Sequence, residues 1–209
     1  MKIPNQHIGI GILFFHLIGA FGTFWHMTRE TTLAMTPVNL LLSSILIFVC
    51  HEKITTRWTI TVVILAIIGY LVEVAGVATG QIFGKYQYGP VLGYAIWDVP
   101  LAMALNWFLL LYIFGQLVAP LKLPLALKAM LAGFGMVLLD VIIEPVAIEL
   151  NYWRWTNVSV PFQNYVAWFV IGSILQVFFL KANGPIRNAF AFYLLASQLL
   201  YFLSILLFL

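Results

Sequence analysis

The sequence predicts an all-α bundle of transmembrane helices, polytopic with about seven spans, forming one integral-membrane domain over residues 1–209. Three observations predict it. The 209 residues are 63% hydrophobic and only 8% charged, whereas a soluble domain is roughly a quarter charged. The mean hydropathy is +1.03. The apolar residues also fall in runs close to the length a bilayer requires, about 20 residues per helix.

Seven runs answer to that length, at residues 8–25, 36–50, 59–78, 91–114, 125–149, 162–180 and 186–209. The second is short for a span. The first follows Lys2, lacks a small-x-small cleavage site, and is read as an uncleaved anchor. With seven spans, Lys2, Lys53, Arg57, Lys122, Lys128, Lys181 and Arg187 share one side, and Arg29, Lys85 and Arg154 the other. The excess of cations on the first side places the N-terminus in the cytoplasm, with the chain in the cell (inner) membrane.

Composition excludes several function classes. The net charge of +3 is scattered through short loops, so no basic stripe suggests nucleic acid. The single cysteine, Cys50, excludes an internal disulfide and is read as a packing residue. A retinal-type protein needs a lysine in its last span, and residues 186–209 contain none. The four histidines, His7, His16, His26 and His51, show no metal-ligand spacing, so no metal is expected. His16 is read as a hydrogen-bonded packing residue, and His26 as a neighbour of the acids described next. No nucleophile elbow is present. The glycines of residues 76–84 do not join a strand to a helix, so they are no dinucleotide fingerprint; they suit close helix packing or a turn.

Glu30 and Glu52 sit in loops. The other five acids, Glu73, Asp98, Asp140, Glu144 and Glu149, lie within or at the ends of the third, fourth and fifth spans, toward the outer side. An acid at the bilayer centre costs roughly 2.5–3.5 kcal/mol on insertion scales, so repetition at one level implies a use. Asp140 and Glu144 are four apart and share a helix face. Pro145 follows Glu144 and weakens the helix there. Asp98 precedes Pro100 in a segment that suits an interfacial loop. Glu149 is expected at a solvated helix end. Tyr86, Tyr88, Tyr94, Trp97, Tyr152, Trp153, Trp155 and Tyr165 share the level of the acids, and Arg154 is a cation among them. Part of this set forms the usual aromatic belt. A weak repeat is also visible: Val99–Pro100 then Trp107, and Val160-Pro161 then Trp168, each after an aromatic loop.

Carboxyl groups held in different protonation states make an acid and a base, and aromatic faces stabilise a passing cation. Together they suit protonation of an alkene, followed by capture of water or loss of a proton. The substrate would be apolar and enter from membrane lipid. A proton-coupled carrier is the alternative from another class, since intramembrane carboxyl groups also serve as relays.

The run ExxGxxTGxxFGxYxYG at 73–89, with Leu92, Gly93, Val99, Pro100 and Trp107, resembles the first half of the membrane carotenoid-biosynthesis family. DxxxEP at 140–145, Trp153, Trp155, VPxxN ending at Asn164, and Trp168 resemble its second half. The resemblance covers roughly residues 65–170. The family pattern usually has Asp-Pro where Glu144-Pro145 stands here. The characterised members are carotenoid 1,2-hydratases, including the bacterioruberin-pathway hydratase. The resemblance implies cofactor-free addition of water across the terminal double bond of an acyclic carotenoid end, giving a tertiary alcohol. On this reading Glu73, Asp98, Asp140 and Glu144 are catalytic. Asp140 or Glu73 protonates the alkene. Trp107, Trp153 and Trp155 steady the cation, with Tyr86 and Tyr88 lining the site. Glu144, Asp98 and Asn164 hold the water, and Arg154 keeps the base ionised. An end-group cyclase or isomerase, which begins with the same protonation, is the alternative within enzymes.

Overall fold

The computed structural model describes residues 5–157, 159–184 and 188–208. Lys2 and Arg187, two of the cations used above for orientation, lie outside them, as do the first residues of the seventh expected span. The described chain runs α1 (Asn5–Phe24), α2 (Arg29–Ala34), α3 (Thr36–Cys50), α4 (Thr56–Thr79), β1 (Tyr86–Tyr88), a 3-10 turn (Pro90–Leu92), β2 (Ala95–Ile96), β3 (Val99–Pro100), α5 (Ala102–Val118), α6 (Leu125–Glu149), β4 (Trp153–Trp155), α7 (Phe162–Asn183) and α8 (Phe190–Leu206). It is an all-α helical membrane protein. The helices α1, α4, α6 and α7 are long and apolar enough to cross a bilayer, and α3, α5 and α8 are shorter apolar helices. These seven fall where the seven runs were expected.

The fourth run needs correcting. Residues 91–101 are not α-helical; the α-helix begins at Ala102. Gly93, Trp97 and Asp98 all take positive φ, 80°, 52° and 62°, which an α-helix cannot accommodate. Pro100 also biases its predecessor toward extended backbone. The segment instead folds as a turn and a small hairpin in which β2 pairs antiparallel with β3.

Helix α5 is the central element, packed against α3, α4, α6, α7 and α8. Every residue from Trp107 to Gln116 is buried, which explains why this helix is apolar all round. At 17 residues it is roughly 25 Å long, less than a bilayer core, and the 90–101 segment continues from its N-terminal end. Around it α6 packs along α7 and α1 along α8. The C-terminal ends of α3 and α5 and the start of α8 are tied by a buried polar cluster. His51 Nδ1 lies 3.2 Å from the Tyr112 hydroxyl, and Asn188 donates to that hydroxyl at 2.7 Å and to the Cys50 carbonyl at 2.8 Å.

Helix α4 begins at Thr55, whose side chain accepts from the Trp58 amide at 3.1 Å, and ends at Gly80 in the left-handed region, φ 64°. Glycine takes that conformation without a Cβ penalty, so the chain turns back sharply over the α4 end. Six residues later β1 begins, and it pairs antiparallel with β4. The register is Tyr86 with Trp155, Gln87 with Arg154, and Tyr88 with Trp153. This register is symmetric about its central pair. Trp107 and Trp168 stack at 4.3 Å with 9° between their planes. The two members of the weak sequence repeat therefore meet face to face across the bundle.

Candidate active site

Strand alternation builds the site. Successive side chains of a strand point to opposite faces. On the paired strands β1 and β4, Tyr86, Tyr88, Trp153 and Trp155 therefore point into the bundle, while Gln87 and Arg154 are exposed. The four inward rings pack on one another, Tyr86 with Trp155 at 5.1 Å and Tyr88 with Trp153 at 6.3 Å, and carry their polar tips to two carboxyl groups.

Glu73, on the last turns of α4, is 2% exposed. Its Oε2 accepts from the Tyr86 and Tyr88 hydroxyls at 2.6 and 2.7 Å. Its Oε1 accepts from Trp107 Nε1 at 3.0 Å. Trp107 reaches it because Gly69, one turn earlier on α4, has no side chain; a Cβ there would lie inside the indole. Glu144 of α6 is the counterpart. Its Oε2 accepts from Trp153 and Trp155, both at 3.0 Å, and its Oε1 from Asn164 Nδ2 at 3.3 Å. The same Asn164 nitrogen donates to Asp140 Oδ2 at 2.9 Å. Asp140 and Glu144, one turn apart on α6, are thus bridged by a single amide from α7. Asp140 Oδ1 takes no donor among the described residues.

The three carboxyl groups open on one cavity of about 850 Å³, a size that suits a small-molecule site. Its wall includes Phe83, Tyr86, Tyr88, Trp153, Trp155 and Trp168 on the carboxyl side, and Phe15, Ile18 and Phe21 of α1, with Trp25 just after it, elsewhere. Ile18 and Phe21 are 70% and 65% exposed, so the wall reaches the apolar outer surface of the bundle along α1. Tyrosine hydroxyls in the cluster stay protonated: burial and the charge of Glu73 push Tyr86 and Tyr88 well above the ordinary tyrosine value, so both remain donors.

Residues 35–208, most of the chain, match the family described as carotenoid biosynthesis protein. The chain belongs to this family. It is also 28% identical over 131 residues to bisanhydrobacterioruberin hydratase of Haloarcula japonica, over 59% of this chain. The chain spans less than half of that relative, 45%. No solved structure matches it.

In this carotenoid-biosynthesis protein the fold brings Glu73, Asp140, Glu144, Tyr86, Tyr88, Trp107, Trp153, Trp155 and Asn164 together. Trp107 does not line the cavity; it stands behind Glu73 and holds it. Two expected members are not brought in. Asp98 is exposed at the tip of the β2–β3 turn, because its left-handed backbone belongs to the hairpin rather than to a helix. Arg154 is exposed on the outer face of β4, because the alternation that turns Trp153 and Trp155 inward turns it outward. His26, Tyr94 and Trp97 are exposed as well, and Glu149 is exposed near Arg29 at 4.0 Å. Tyr152, expected at the level of the acids, lines the cavity, and so do Phe83, Asn106, Asn39 and Gln198, which the sequence does not single out. The signal for the last two was available, since both are polar side chains inside apolar runs.

Proposed function

We propose that the chain is a multi-pass enzyme of the cell membrane that hydrates the terminal double bond of an acyclic carotenoid end. The carrying observation is the convergence of three buried carboxyl groups, of which only Asp140 has an oxygen without a donor among the described residues, on an apolar cavity lined with aromatic rings. Counting donors distributes the roles. Hydrogen bonds to a carboxylate favour its charged form, and every oxygen of Glu73 and Glu144 accepts one. Asp140 Oδ1 is the oxygen left to carry a proton, so Asp140 is the acid.

Asp140 gives its proton to the less substituted alkene carbon, and the positive charge develops on the neighbouring tertiary carbon. The faces of Trp153, Trp155 and Trp168, with the negative charge of Glu73 fixed by its three donors, stabilise that cation. Water then bonds to the cationic carbon, and Glu144 accepts the proton it releases. Transfer of this proton from Glu144 to Asp140, one turn away, restores the starting state. One water is consumed, one tertiary alcohol is formed, and no electrons are exchanged. Water is the one co-reactant this scheme consumes.

The test is substitution of the acid and the base. Asp140→Asn and Glu144→Gln are expected to abolish formation of the hydrated pigment while leaving the protein folded in the membrane. Full activity in both would end the assignment. A product of unchanged mass would point to cyclisation or isomerisation, and proton flux into liposomes without pigment change to a carrier.

A further inference from the structure

The cavity holds a second polar set that this reaction scheme leaves unused. His16 of α1, Asn39 and Ser43 of α3, and Gln198 of α8 all line it. His16 is buried, and its Nδ1 lies 2.9 Å from the Ile12 carbonyl oxygen. A carbonyl only accepts, so Nδ1 carries the ring hydrogen and Nε2 is an acceptor. The Asn39 Nδ2 lies 3.2 Å from that Nε2 and donates to it. This fixes which end of the amide meets the histidine. The Asn39 oxygen, Oδ1, is buried without a partner among the described residues, and so is Oε1 of Gln198. Two hydroxyl pairs stand on the same cavity wall, Thr36 with Tyr152 at 3.2 Å and Tyr201 with Thr23 at 3.0 Å.

Buried acceptors without donors are rare in folded proteins. Here two of them sit on side chains from different helices that line one cavity. An amide oxygen is neutral and accepts only, so its natural occupant is a neutral O–H group.

We propose that Asn39 and Gln198, with Asn39 oriented by His16, form a hydroxyl subsite that takes an O–H sharing the cavity with the polyene end. This rests on the reading of the cavity as a polyene site. The O–H has two sources, an alcohol already carried by the polyene near its acyclic end, or the water that is added. Either donates to the same oxygens.

The experiment uses the full chain in detergent and two polyenes of equal length, one with a tertiary alcohol near the acyclic end and one without. Quenching of tryptophan fluorescence reports binding, and mass spectrometry reports product. Asn39→Leu and Gln198→Leu remove each acceptor at similar side-chain volume, and lie on separate helices should one fail to fold. If the occupant is the substrate's alcohol, the wild type binds the alcohol about tenfold more tightly, as one or two hydrogen bonds would give. Each variant then reduces that preference without weakening the deoxygenated polyene. If the occupant is water, affinities stay put and the variants shift product from the hydrated polyene toward an isomer of unchanged mass. That isomer forms when the cation loses a proton instead of gaining water. Equal wild-type affinities together with unchanged product ratios in the variants overturn the subsite and leave hydration standing. Failure of the wild type to bind either polyene overturns both.

Discussion

Replacing Asn164 by leucine removes a donor that touches both Asp140 and Glu144 while keeping the number of side-chain heavy atoms. The amide lies 2.9 Å from Asp140 and 3.3 Å from Glu144. The first is an ordinary hydrogen bond and the second lies just past the usual range. Glu144 retains two indole donors at 3.0 Å, whereas Asp140 retains none among the described residues. With Asp140 protonated the bond is between neutral groups, and leaving a buried acceptor without its donor costs about 1–3 kcal/mol; the long contact adds little. The variant is therefore expected to lose about 1–3 kcal/mol of stability. It also loses the alignment of the acid with its neighbour. Since each 1.4 kcal/mol is tenfold in rate, a loss of this size in the transition state slows conversion about 10–100-fold. The assay is the initial rate of polyene conversion per folded protein, with thermal melts in detergent run in parallel. A folded Asn164→Leu protein with the wild-type rate would refute the claim that this amide organises the site.

Three further outcomes are expected. Asp98→Asn and Arg154→Gln, both exposed and apart from the carboxyl cluster, keep rates within about twofold of wild type, because surface changes of this kind have small effects; a large loss in either would return that residue to the site. Gly69→Ala drives a methyl group into the Trp107 indole and costs about 1–3 kcal/mol by overpacking, lowering the melting temperature and detaching Trp107 from Glu73; an unchanged melt would contradict the packing. Burial pushes the His51 imidazole below its ordinary value, and the nearby Glu52 charge offsets this only in part. The neutral form is therefore the folded one. Its contribution is complete above the unfolded value of about 6.5 and is lost as pH falls toward the depressed folded value. The melting temperature is expected to drop between pH 7.5 and pH 5.5, and His51→Gln to flatten that drop; an equally steep fall in the variant would assign it elsewhere.

The bundle was legible because hydropathy is a sum over many residues, and single misplacements do not move it. The fourth run misled for the same reason. Its apolar content outweighed Gly93, the Trp97-Asp98 pair and Pro100, each a turn signal, and only the backbone shows that they act together. Asp140 and Glu144 were legible as a pair because helix geometry follows from spacing alone. The outward face of Arg154 was not legible, because the face of a three-residue strand depends on its partner, β1, far away in sequence. The place of Trp107 behind Glu73 was not legible, since nothing local to it reports the gap at Gly69 that admits it. The α1, α3 and α8 wall of the cavity was missed altogether. His16 was read correctly as hydrogen-bonded, but the space beside it exists only after α1 packs along α8.

The most direct test of the account is mass spectrometry of pigments from cells that make an acyclic carotenoid, with and without this protein. Hydration predicts a new pigment heavier by one water for each reacted end, present with the wild type and absent with Asp140→Asn. Pigment of unchanged mass, with the protein shown to be folded in the membrane, would contradict it.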